Sequence, residues 1–230
     1  MGERVTFQSN SHTTNGYLAK PASGSGPGVI VIQEWWGLVP HIETVTDRFA
    51  AEGFVALAPD LYHGEKATSP DQAGKLMMAL NIEHAAKDIS GAIDFLQAQK
   101  GVTGSKVGTV GFCMGGALSL YVATVNPKVG AAVVFYGGHP NAKPDLAKLE
   151  APVLGIWAGK DHFVTPEVVA GLDEALTKLG KPHQFHTYPD ADHAFFNDTR
   201  PEVHNAAAAA DAWQKTIAFF RLRLVGDAAF

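Results

Sequence analysis

The sequence predicts an α/β fold with a mostly parallel central sheet and helices on both faces. Three observations carry that expectation. Apolar runs at 28–33, 54–57, 107–111, 131–135 and 153–157 are continuous rather than alternating, as befits strands buried on both faces of a parallel sheet. Helical spacing of apolar residues recurs near 41–52, 84–99, 114–125 and 167–179. The two patterns alternate along the chain, which implies crossover helices between parallel strands.

Taken in order, residues 5–8 and 17–19 read as a hairpin on the sheet edge. Ser23-Gly24-Ser25-Gly26-Pro27-Gly28 is a short flexible loop leading into the first apolar run. The helix at 167–179 is well punctuated: Thr165 can cap it, Pro166 suits its first turn and Gly180 follows its last apolar position. Residues 184–188 form a further strand, and a helix near 202–222 closes the pattern. Within that helix, Ala206 to Ala210 read as a buried small-residue face. No repeat or domain boundary is evident, so residues 1–230 are expected to form one domain.

Composition narrows the function. Apolar residues make up 46% and charged residues 18%, the balance of a globular protein. A net charge of −5 offers no basic footprint for nucleic acid or an anionic membrane surface. The N-terminus lacks an apolar signal region, and no apolar run reaches the roughly 18 residues of a membrane helix. The one cysteine, Cys113, forms no intramolecular disulfide and suits a reducing compartment. A cytoplasmic monomer or small homo-oligomer is expected.

Gly111-Phe112-Cys113-Met114-Gly115 lies where a strand ends and a helix begins. This is the thiol form of the nucleophile elbow, in which glycines clear space for a tight turn. The following helix aims its N-terminus at the thiol, favouring thiolate and offering backbone N–H groups to an anion. A buried structural cysteine is the competing reading. The elbow is usually followed by an acid and then a histidine. Asp161 follows the 153–157 strand, whereas Asp145 and Asp173 follow no strand end directly. Among the downstream histidines, His183 and His186 flank or occupy a strand and His204 falls in the final helix. Only His193 sits in the loop beyond the last strand, which makes it the candidate base. His183, His186 and His193 lack the spacing of a metal-binding pair, so no metal or cofactor is expected.

The loop after the 28–33 strand reads Glu34-Trp35-Trp36-Gly37-Leu38. In this architecture it supplies the second N–H of an oxyanion hole, here Trp35 with Met114 as the first. Glu34 at a strand end, beside an aromatic run, is a further candidate. Trp36 and Tyr136 are candidates to line the substrate pocket, although aromatics near strand ends often serve the core.

Together with Ala58-Pro59-Asp60-Leu61-Tyr62, Gly159-Lys160-Asp161 and Asp192-His193-Ala194-Phe195, these motifs make the chain resemble the dienelactone hydrolase (carboxymethylenebutenolidase) family over nearly its whole length. The resemblance implies an α/β-hydrolase fold and a triad of Cys113, His193 and Asp161. It implies that Glu34 contacts the resting thiol and helps activate it. It also implies cleavage of cyclic enol esters without metal or organic cofactor. Dienelactone-specific members carry an arginine four residues after the triad histidine. Here that position is Asn197, with Arg200 three residues further on. The resemblance therefore leaves neutral esters or lactones as substrates at least as good as carboxylated dienelactones. A thioesterase or peptidase-like acyl hydrolase on the same triad, and a non-catalytic binding protein on this scaffold, are the alternatives.

Overall fold

The computed structural model describes residues 2–225. Its centre is an eight-stranded sheet of β1 (Glu3–Ser9), β2 (His12–Ala19), β3 (Gly26–Ile32), β4 (Val55–Pro59), β5 (Val102–Phe112), β6 (Val129–Phe135), β7 (Val153–Ala158) and β8 (His183–Tyr188). The spatial order is β1-β2-β4-β3-β5-β6-β7-β8. From β4 to β8 every pairing is parallel, and the β1–β2 hairpin joins antiparallel through β2. The predicted edge hairpin is therefore present, turned by Asn10 and Ser11, both at positive φ.

Helices α1 (Pro40–Ala51) and α6 (Ala206–Leu224) cover one face; α3 (Ile82–Gln97), α4 (Met114–Val125) and α5 (Pro166–Lys178) cover the other. Side-chain alternation divides each strand between two cores. In β3, Val29 and Val31 pack with Phe49, Trp213 and Phe220, while Ile30 and Ile32 pack with Ile89, Leu96 and Leu118. Both faces are apolar, which is why the strand sequences run without interruption. Among the described residues, no helix is long and apolar enough to cross a membrane.

Three expectations need correction. The last helix begins at Ala206, not near 202, because the Asn205 side chain accepts from Ala208 N at 3.1 Å and starts the helix there. His204 accordingly lies in the preceding loop, its Nδ1 3.0 Å from the Phe195 carbonyl oxygen. Of Ala206 to Ala210, only Ala208 and Ala209 are buried. A helix unmarked by apolar periodicity, α2 (Pro70–Ala79), buries only Ala73; its signal is the start Ser69-Pro70, where Ser69 accepts from Gln72 N.

The strand order reverses at β3 and β5: β4 lies on one side of β3 and β5 on the other. Loops leaving adjacent C-terminal strand ends at such a point enclose a crevice, the usual ligand site in an open α/β sheet.

Candidate active site

Cys113 follows β5 at φ 54° and ψ −120°, a backbone conformation costly for a side-chain-bearing residue. The surroundings hold it there. Cys113 N donates to Phe135 O at 3.0 Å, and Cys113 O accepts from Gly116 N at 2.9 Å and from Gly138 N at 3.3 Å. A Cβ on Gly111 would lie 1.9 Å from Gly115 O, and one on Gly115 would lie 2.4 Å from Gln33 O. The two glycines thus let β3, β5 and the first turn of α4 approach closely enough to form the elbow.

Asp161 lies in the turn after β7, 3% exposed. Its Oδ1 accepts from the backbone N–H groups of Phe163 and Val164 at 2.8 and 2.9 Å, which fixes the carboxylate. Its Oδ2 lies 2.6 Å from His193 Nδ1. Burial pushes the Asp161 ionisation up, but the His193 contact and the two backbone donors outweigh it and hold the carboxyl below its ordinary value. Burial likewise opposes charge on His193. The pull of Asp161 and of the neighbouring Cys113 sulfur overcomes that, raising the imidazole to about 10. The ring packs between Tyr136 and Phe163, with centroids 5.0 and 5.3 Å away.

Glu34 follows β3 and is 2% exposed. Burial raises its ionisation, against the opposing effects of Asn197, His193 and Arg200. Asn197 Nδ2 donates to Glu34 Oε2 at 2.8 Å, and Asn197 Oδ1 accepts from the Thr199 hydroxyl and backbone N–H. Asn197, expected at the substrate, is thus engaged with the protein at both ends of its amide. Tyr136 is fully buried at φ 38°, its hydroxyl without a hydrogen-bond partner among the described residues. Burial foremost, with the charges of Glu34 and Cys113, pushes its ionisation far above the usual phenol value.

Trp35 and Trp36 are half-buried and meet edge to face at 5.3 Å. Trp36 lines a cavity of about 280 Å³ with Val39, Ala67, Asn197, Thr199 and Arg200. A cation therefore does stand at this pocket: the Arg200 guanidinium lies 6.0 Å from the Trp36 ring centre and its Nε donates to Glu202 at 2.8 Å.

Residues from five strand ends are thus brought to one crevice: Glu34 and Trp35 after β3, Cys113 and Met114 after β5, Tyr136 after β6, Asp161 after β7 and His193 after β8. Sequence reasoning gave no role to two neighbours. Tyr62, after β4, donates its hydroxyl to Met114 Sδ at 3.3 Å. Phe163, 79% exposed, covers an edge of the His193 ring. Tyr62 lies in the quoted Ala58 to Tyr62 motif, whereas Phe163 carries no local sequence signal.

Residues 14–224 match the dienelactone hydrolase family. The chain is 41% identical to the Usf protein of Aquifex pyrophilus, over 96% of this chain and 98% of the relative. It is 35% identical to a protein of Aquifex aeolicus provisionally named carboxymethylenebutenolidase, over 97% of this chain and all of the relative. A Klebsiella pneumoniae crystal structure provisionally named dienelactone hydrolase superposes with a TM-score of 0.88 at 29% identity, covering 96% of this chain and 98% of that one.

Proposed function

This chain belongs to the dienelactone hydrolase family, and on that premise we propose that it hydrolyses small carboxylic esters and lactones through a thioester on Cys113. The observation that carries the reading is the 2.6 Å Asp161–His193 contact beside a cysteine held on a strained elbow.

The steps follow from the geometry. An imidazolium next to a thiol and a helix N-terminus aimed at it both favour thiolate. Cys113 Sγ attacks the acyl carbon, and the oxyanion is taken by the backbone N–H groups of Met114 and Trp35. Among the described residues neither N–H has a backbone acceptor, so both are free to donate. As the acyl C–O bond breaks, His193 gives its proton to the departing alkoxide. In a lactone that alcohol stays tethered to the acyl chain. Water then attacks the thioester, its proton passes to His193, and Cys113 leaves as thiolate. Asp161 keeps Nε2 of the imidazole facing the reacting atoms by engaging Nδ1.

In this scheme Glu34 contacts the resting thiol and takes up its proton as substrate arrives, leaving the thiolate beside the imidazolium. It returns that proton to the thiolate released at the end of the cycle. A carboxyl whose ionisation is pushed up by burial is the better acceptor for that task. Trp36 lines the cavity beside the site, the buried Tyr136 ring backs the His193 imidazole, and Asn197 holds Glu34 rather than substrate. The single thiol suits a reducing compartment such as the cytoplasm.

Iodoacetamide alkylation followed across pH, together with hydrolysis of a lactone and p-nitrophenyl ester panel, tests the proposal. The expected result is alkylation well below the ordinary thiol range near pH 8.5, and turnover that Cys113→Ala abolishes. Ordinary thiol titration with unchanged turnover in Cys113→Ala would overturn it.

A further inference from the structure

A second group of chemistry-bearing side chains lies away from the elbow, where the β1–β2 hairpin tip meets the loop after β4 and helix α3. We propose that His12, His63 and Asp88 form a binding site for a divalent first-row metal ion, Zn²⁺ in first place. The donor atoms His12 Nε2, His63 Nε2 and the Asp88 carboxylate oxygens converge within 4.8 Å of one another. His12 Nε2 lies 3.3 Å from Asp88 Oδ1, and His63 Nε2 lies 3.3 Å from Asp88 Oδ2. Ligand atoms at the corners of a tetrahedral zinc site, with bonds of about 2.0–2.1 Å, stand roughly 3.3 Å apart.

These approaches are close without being hydrogen bonds. His12 Nε2 is buried and has no hydrogen-bond partner among the described residues. Its other ring nitrogen, Nδ1, lies 3.2 Å from the Asn10 carbonyl oxygen. An Nδ1–H donating to that carbonyl leaves the Nε2 lone pair facing Asp88, the tautomer a metal-ligating imidazole adopts. Asp88 is itself oriented: its side chain is 3% exposed, and Ser9 Oγ donates to its Oδ1 at 2.9 Å.

The backbone is arranged to present both rings. The positive-φ pair Asn10 and Ser11 turns the chain so that His12 opens β2 over α3. His63 is also at positive φ, 51°, in the left-handed region that histidine enters more readily than most side-chain-bearing residues. Asp60 holds its loop, accepting from Tyr62 N at 3.1 Å and Gly64 N at 2.7 Å. His63 is 48% exposed, which gives the ion an entry path and leaves a fourth position for water. Two imidazoles and one carboxylate suit Zn²⁺, Co²⁺, Ni²⁺ or Cu²⁺ and not Mg²⁺ or Ca²⁺, which prefer oxygen throughout.

The test is Co²⁺ and Zn²⁺ binding to EDTA-treated protein, with Cys113→Ala run alongside to remove the other soft ligand. One equivalent of Co²⁺ per chain should produce a visible tetrahedral ligand-field band that Zn²⁺ displaces. Zn²⁺ at a hundredfold excess over its Kd should raise Tm by roughly 5 °C. His12→Ala and His63→Ala should each abolish the band, and Ser9→Ala should weaken binding roughly 10–100-fold. His63 is half-exposed, so His63→Ala keeps the test if His12→Ala fails to fold. Absence of the band in the parent chain, or an undiminished band and Tm shift in His63→Ala, overturns the proposal.

Discussion

Asn197 donates its side-chain amide to Glu34 at 2.8 Å, joining two buried residues separated by 163 positions in the chain. At the position where dienelactone-specific relatives carry a cation, this chain has a neutral residue committed to Glu34. Removing the donor leaves a buried carboxyl short of a partner. Asn197→Leu should destabilise the fold by about 1–3 kcal/mol and push the Glu34 ionisation further up. Glu34→Gln should leave Tm nearly unchanged while slowing acylation and shifting the pH dependence of Cys113 alkylation. An alkylation profile identical to the parent in both variants would separate Glu34 from the chemistry.

In the proposed mechanism the elbow, base and acid act as one unit. Cys113→Ala and His193→Ala should each remove most activity, and the double variant should be little worse. Asp161→Asn should fold but lose up to several orders of magnitude in kcat, since an amide can present its N–H to Nδ1 and favour the wrong tautomer. Single-turnover kinetics on one ester would check all four; additive losses in the double variant would contradict the shared mechanism.

Arg200 is the cation lining the cavity beside Trp36, but it is partly exposed and already paired with Glu202. Its effect on an anionic substrate should accordingly be modest. Arg200→Gln should lower kcat/KM for a carboxylated ester about fivefold, near 1 kcal/mol, and leave a matched neutral ester unchanged. The preference should weaken with added salt. Equal losses for both esters would assign Arg200 to packing against Trp36 instead.

Stability should carry the signature of His193. Its folded value of about 10 lies above the ordinary 6.5, so the folded state holds the proton more tightly. This contribution is complete below about pH 6.5 and is lost as pH rises toward 10. Wild-type Tm should therefore fall more between neutral and alkaline pH than that of His193→Gln. Parallel curves for the two proteins would show that the imidazole gains no proton affinity on folding.

The parallel frame was legible because β3 to β7 are buried on both faces, and burial writes itself as unbroken apolar runs. Cys113, Asp161 and His193 were legible because each lies at or in the loop beyond the C-terminal end of a strand, where this architecture sets its ligands. Phe163 was not: its placement over His193 depends on how the Asp161 turn folds back, a tertiary contact with no periodicity. The His12–His63–Asp88 group was hidden for the same reason. Its members lie on a hairpin tip, a loop and a helix, separated by 51 and 25 positions, and no spacing rule connects them. The start of α6 was misplaced because Pro201-Glu202 also reads as a helix start, while one capping side chain, Asn205, decides where the helix begins.

The glycines flanking Cys113 reach beyond conformational freedom. Replacing Sγ by a hydroxyl oxygen alters one atom of the turn and displaces no neighbour. Adding a single methyl at Gly111 or Gly115 drives it into the backbone of α4 or β3. In a library of random variants, position 113 should therefore admit serine in folded protein, with or without turnover, while 111 and 115 return glycine alone. The frame, and not the reactive atom, is the part of this site with no room for drift.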